Sequence, residues 1–200
     1  MADDWKDEGN PWTVRGVTRR YENPWFAVDD YDAINPAGGN SVYGVIRMRK
    51  VAVGVLPIDA DGMVYMVGQW RFPLERSSWE MPEGGVEPGE GIVETAHREL
   101  REETGLAAAK LQPILDYDIS NSVTDEHAVL FLATELTTGE AAPEEVEKLK
   151  TLRVPFRDVL ARVADGRIRD GLTVAAVLRV HHMAVEGELP PALAKVILAK

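Results

Sequence analysis

Glu102 and Glu103 stand before Gly105 with one residue between, at the closing end of a helical segment whose apolar residues Ile92, Ala96 and Leu100 recur at a spacing of four. Glycine supplies the left-handed stop, and Pro88-Gly89 introduces the segment. A helix C-terminus carries partial negative charge, so Lys or Arg is the stabilising choice there and a pair of glutamates is not. At about 100° per residue, Glu99, Glu102 and Glu103 share one arc of the helix. A bound divalent cation would remove both the mutual repulsion and the dipole penalty. Mg²⁺ suits an all-oxygen site that shares its ligands with phosphates, with Mn²⁺ as the alternative. The rival reading is a solvated face tied by salt bridges to Arg98 and Arg101.

Composition narrows the chemistry further. The 200 residues contain no cysteine, which excludes disulfide frameworks and thiolate metal sites and leaves oxygen or imidazole ligands. The four histidines do not form a ligand set: His181 and His182 are adjacent on a helix, and His97 and His127 lack a partner at ligand spacing. A formal net charge of −11 argues against a nucleic-acid partner, which needs a basic surface. No apolar run approaches the roughly 18 to 20 residues that span a bilayer, so neither a membrane partner nor a leader is expected and the cytoplasm is the expected compartment.

The order of elements places this segment. Val14–Tyr21, Trp25–Asp29 and Ser41–Met48 read as a three-stranded antiparallel meander, separated by Glu22-Asn23-Pro24 and by the Asn35–Asn40 turn. Val51–Ile58 and Met63–Trp70 flank an Asp-Gly turn and are expected to form a hairpin of the main sheet. Beyond the glutamate helix, strands are expected at Ile114–Ile119, Ala128–Leu136 and Leu152–Pro155, with a polar loop from Thr137 to Lys150. Helices are expected at Phe156–Ala164 and Thr173–Val185, and a short one after Pro190. The reading is an α/β chain: residues 1–48 form a small N-terminal antiparallel β-meander, and residues 49–200 form a mixed sheet sandwiched between helices.

Spelled out, the central segment is Gly84, five residues, Glu90, seven residues, Arg98-Glu99-Leu100, one residue, Glu102-Glu103, one residue, Gly105-Leu106. This resembles the Nudix box at every defined position, and the surrounding elements resemble that family's α/β/α sandwich. The resemblance implies a pyrophosphohydrolase in which Glu99, Glu102 and Glu103 hold Mg²⁺, joined by the backbone carbonyl of Glu83. It implies that Arg98 orients the carboxylates, braced by Glu90. Counting back from Val154-Pro155, which resembles a landmark of the ADP-ribose pyrophosphatase branch, the general base corresponds to Glu147, with Glu144 and Glu145 as neighbours; Glu99 is the candidate within the box.

Tyr21–Phe26, Val42–Val45, Gly68–Arg71 and Trp79–Pro82 also resemble the branch that hydrolyses ADP-ribose and nucleotide sugars. In that branch the meander is exchanged across a homodimer. The resemblance therefore implies a homodimer, stacking of the base on Phe26 or Trp25, and a phosphate contact from Arg71; core packing is the plainer role for the two aromatics. Ser120–Glu126 departs from the Ser-Pro-Gly of ADP-ribose enzymes, with Asn121 in place of the proline. A nucleoside diphosphate sugar such as GDP-mannose is thereby admitted beside ADP-ribose, with Glu126 as a candidate sugar contact and Asp125 as a loop cap. A non-hydrolytic Nudix sensor of ADP-ribose is the alternative from another class.

Overall fold

Strand β4 (Ala52–Pro57) and strand β9 (His127–Thr138) run parallel at the centre of a four-stranded sheet ordered β7-β4-β9-β8, with β7 spanning Glu83–Gly85 and β8 Leu106–Asp118. The other pairings in that sheet are antiparallel, so the sheet is mixed. Alternation along β9 separates its faces: Val129, Phe131 and Ala133 join one core, and Ala128, Leu130 and Leu132 join another. Helix α1 (Ile92–Thr104) covers the first face through Ala96 and Leu100, both fully buried. On the second lie α2 (Phe156–Ala164), α3 (Gly171–Val185) and α4 (Pro191–Ile197), contributing Phe156, Ala176, Val177, Val180 and Ile197. This is the expected α/β/α arrangement.

The computed structural model describes residues 9–139 and 149–199. The chain divides into two compact units, one made of residues through Arg49 with Ser120–Glu126, the other of Lys50–Ile119 with His127 onward. No helix among the described residues is long and apolar enough to cross a membrane.

One expectation fails. β4 and β5 (Met63–Arg71) do not make a hairpin within one sheet: β5 belongs to a separate three-stranded sheet, between β10 (Lys150–Pro155) and β6 (Arg76–Glu80), and meets the β4 segment only at the isolated bridge Ile58–Val64. The reason lies at the turn. Ile58 N–H is taken by Ala133 O at 2.9 Å, committing β4 to β9, while Asp59 Oδ1 accepts from the N–H groups of Asp61 and Met63 at 3.0 Å each and turns the chain away. The α1 stripe is also shorter than its periodicity suggests, since Ile92 is 38% exposed.

In the first unit β1 (Thr13–Glu22), β2 (Phe26–Ile34) and β3 (Asn40–Met48) pair antiparallel in that order, β1 exceeding its expected range at both ends, β2 at its C-terminal end and β3 at its N-terminal end. Asn23 and Asn35 make the two turns by accepting backbone N–H groups with their side-chain oxygens. Every residue of β1 is exposed, and Val14, Val17, Tyr21, Trp25 and Val42 leave apolar surface open. Segment Ser120–Glu126 lies along β3: Ile46 N–H donates to Val123 O at 2.9 Å, Met48 N–H to Asp125 Oδ1 at 2.8 Å, and Tyr43 Oη to Ser122 O at 2.7 Å.

Candidate active site

Gly84 sits where β7 passes the helix end, and only a residue without a side chain fits there. A Cβ at Gly84 would lie 1.9 Å from Glu99 Oε1, so the glycine lets the carboxylate reach the strand backbone. Glu99 and Glu103 are 9% and 5% exposed, and Glu102 is partly exposed. Around the helix Glu103 falls between Ile92 and Ala96, so this arc is no solvated face, and β7 lies against it at Glu99 and Glu103.

Arg98 gathers the group. Its Nη1 donates to Glu99 Oε1 at 2.7 Å and to Glu102 Oε2 at 3.0 Å, its Nη2 to Gly85 O at 3.2 Å, and Nε with Nη2 clasps Glu90 at 2.9 and 3.0 Å. Hydrogen bonds from Arg98 and from the Thr95 hydroxyl hold the Glu90 carboxyl down at about 2. The bonds to Glu90 and Glu102 in turn raise Arg98. Glu83 N–H donates to Glu103 Oε2 at 3.2 Å, so the strand backbone touches the far carboxylate too. Glu83, Glu99, Glu102 and Glu103 therefore come together around the start of β7 and the end of α1, where the ligand atoms are oxygens and the backbone leaves a cradle beside Gly84. That donor set fits a hard divalent cation.

A second set of carboxylates surrounds the side chain of Glu83. Arg71 Nε donates to both oxygens of Glu80 at 2.9 and 3.0 Å, and its Nη2 to Glu80 Oε2 at 2.5 Å and to Glu83 Oε1 at 2.7 Å. Oxygens of Glu80, Glu83 and Asp170 lie within 4.8 Å of one another, a geometry that could also hold a cation. Burial pushes the Glu83 carboxyl well up, and the neighbouring charges of Asp170 and Glu80 add to this. Burial works against the Arg71 charge, yet the hydrogen bond to Glu80 keeps that guanidinium above its ordinary value. Glu83 is expected at the site only through its carbonyl, and nothing in the amino-acid order marks Glu80 or Asp170 for a role there. The signal for Asp170 is local: it caps α3, accepting from Thr173 N–H at 2.7 Å, and an N-cap reads as structure rather than as site.

The remaining candidates fall elsewhere. Trp25 and Phe26 belong to the first unit, where Trp25 is 65% exposed and Phe26 packs at a tilt against Tyr21 with ring centres 5.8 Å apart. Glu126 is in the same unit, and partial burial raises its carboxyl. Asp125 is turned onto β3, bonded to Met48 N–H and to Arg47 at 3.0 Å. Glu144, Glu145 and Glu147 lie outside the described residues.

The profile of the NUDIX domain matches residues 48–177. An ADP-ribose pyrophosphatase of Bacillus subtilis (strain 168) is 40% identical over 128 residues, 63% of this chain and 69% of that protein. A protein of the same description from Mycobacterium tuberculosis (strain ATCC 25618 / H37Rv) is 34% identical over 154 residues, 75% of this chain and 74% of its own length. Among solved structures, one described as an ADP compounds hydrolase superposes with a TM-score of 0.80 over 92% of this chain and 100% of that one, at 22% identity, a likeness of fold.

Proposed function

The chain belongs to the NUDIX domain family, and from that premise we propose that it hydrolyses the pyrophosphate bond of a nucleoside diphosphate linked to a sugar, giving a nucleoside monophosphate and a sugar phosphate. The observation that carries this is the convergence of Glu99, Glu102 and Glu103 on Arg98 and on the backbone of β7.

Glu99, Glu102, Glu103 and the Glu83 carbonyl would hold Mg²⁺, with Mn²⁺ as a substitute. When bound, the cation lowers the pKa of water, clamps the phosphates and neutralises developing charge. Arg98 sets the rotamers of Glu99 and Glu102 by bonding both through one nitrogen. Arg71 is fixed in plane by Glu80 and Glu83, and its Nη1, which carries no hydrogen bond among the described residues, meets a substrate phosphate. Glu147 accepts the proton of the attacking water. Trp25 or Phe26 stacks on the base and Glu126 meets the sugar. A non-hydrolytic sensor would be expected to lack box carboxylates, and every one is present.

ADP-ribose heads the substrate order because the similar proteins carry its name, and Asn121 keeps GDP-mannose beside it. Product analysis on ADP-ribose, GDP-mannose, UDP-glucose, NADH and dinucleoside polyphosphates tests this. AMP with ribose 5-phosphate from ADP-ribose, or GMP with mannose 1-phosphate from GDP-mannose, should form about tenfold or more faster than products of the last two substrates. Turnover of dinucleoside polyphosphates alone would overturn the proposed substrate class.

The working form is a cytoplasmic homodimer built through residues 1–48, which act as an assembly domain beside the catalytic domain 49–200. A three-stranded sheet with one strand wholly exposed and apolar side chains open to water is too small to stand alone, which supports docking of this unit on a second copy. Removing residues 1–48 should abolish dimerisation in sedimentation and weaken substrate binding by about a hundredfold or more, since the loss of stacked aromatic contacts and of the partner's strands adds up. A fully active monomeric truncation would contradict the assembly.

A further inference from the structure

Most arginines in this acidic chain have carboxylate partners, but Arg76, Arg101, Arg162 and Arg169 have none among the described residues. Three of the four gather around two cavities that share Arg167, on the β10-β5-β6 side. The first, about 360 Å³, is lined by Arg76, Ser77, Ser78, Asp165, Arg167 and Arg169. The second, about 300 Å³, is lined by the apolar Trp79, Met66, Leu152 and Val154 and by the charged Asp158 and Arg162; Arg167 is common to both.

We propose that the paired cavities form a binding site for a nucleoside monophosphate, with the phosphate held by Arg76, Arg167 and Arg169 and the base laid against Trp79. In the first cavity three guanidinium groups face one carboxylate, Asp165, which is spent on Arg167 through paired bonds at 2.8 and 2.5 Å. With Asp165 committed to Arg167, Arg76 and Arg169 leave an excess of positive charge in this cavity of a chain whose net charge is −11. A doubly charged phosphate with three acceptor oxygens matches forked guanidinium donors, and the Ser77 and Ser78 hydroxyls add donors of the same kind.

Local structure holds these groups in place. Gly166 turns the α2–α3 loop with φ at +74°, Asp165 Oδ1 accepts from Arg167 N–H at 3.1 Å, and Ile168 N–H donates to Arg162 O at 2.9 Å. Buried Ile168 between two exposed arginines pins the loop and leaves Arg167 and Arg169 outward. Trp79 is immobilised by close approach to Gly68, where an added Cβ would lie 2.8 Å from the indole ring. A fixed indole beside an apolar hollow suits a flat aromatic group, and the shared Arg167 joins the two halves to one ligand.

Arg76 and Arg169 are not among the residues that gather the box carboxylates, and the test needs no catalysis. Isothermal titration of metal-free, full-length protein in EDTA compares AMP with inorganic phosphate; without a cation the box carboxylates repel both probes. AMP should bind about tenfold or more tightly than inorganic phosphate, and the double variant Arg76→Ala/Arg169→Ala should lose about tenfold or more for AMP. Both side chains are exposed, so the variant's ligand-free melting temperature and its initial rate of ADP-ribose hydrolysis should match the parent. Undiminished AMP binding in the variant, equal affinity for the two probes, or no binding by the parent at millimolar AMP would each overturn the proposal.

Discussion

Replacing Glu103 by Gln should lower turnover by on the order of a hundredfold or more at saturating Mg²⁺, with a melting temperature equal to or above that of the parent. Glu103 lies in the last turn of α1, one residue from the Gly105 cap, where carbonyl dipoles and the neighbouring carboxylates make its charge unfavourable without a cation. The amide keeps an oxygen that can accept the Glu83 N–H at the same place, so the geometry survives while the metal-binding charge is lost. Glu99→Gln should cost activity to the same degree, but with less gain in stability. Glu99 is bonded to Arg98 at 2.7 Å and pressed against Gly84, so neutralising it weakens a charge-assisted bond as well as a repulsion. Steady-state kinetics and thermal melts in metal-free buffer separate the two effects. Near-normal hydrolysis by either variant would remove the box from the mechanism.

Glu147→Gln should lower kcat by roughly two to four powers of ten with KM little changed, the usual range for loss of a general base. The assignment depends on Val154-Pro155 closing the strand that follows the loop. The structure anchors that landmark, since Val154 pairs with Val64 and Pro155 with Met63 at the end of β10. A base on a loop can approach the attacking water when substrate and cation are in place, and the carboxylates of α1 need not supply one. Because metal-bound water is already partly ionised near neutrality, residual activity of the variant should rise with pH. A pH–rate profile of Glu144→Gln, Glu145→Gln and Glu147→Gln at fixed Mg²⁺ decides among them. Loss of activity in Glu144→Gln or Glu145→Gln with Glu147→Gln unaffected would mean the loop alignment is off. Activity in all three would move the base into the box, with Glu99 first in line.

What was legible in the amino-acid order alone were the features set by near neighbours. Helix α1 follows from the spacing of Ala96 and Leu100 and from the Gly105 stop, and α2 begins after Val154-Pro155 and ends at Ala164 as its periodicity implies. The grouping of Glu99, Glu102 and Glu103 is likewise local, because about 100° per residue leaves a helix no freedom to separate them. Tertiary structure decided what distant segments must settle between them. Alternation tells which side chains of β4 and β5 share a face but names no partner, so the parting of these strands into different sheets depends on β9 claiming Ile58 and β10 claiming β5. The same holds at the site. Glu80 and Asp170 are far apart along the chain, and their meeting at Glu83 follows from how β6, β7 and the start of α3 pack, which no spacing in the sequence encodes. Ser120–Glu126 could be marked as a departure from the family pattern, but its attachment to β3 joins residues far apart along the chain, through backbone groups at Ile46 and Val123 and through the side chains of Tyr43, Arg47 and Asp125, and no local spacing announces such pairings.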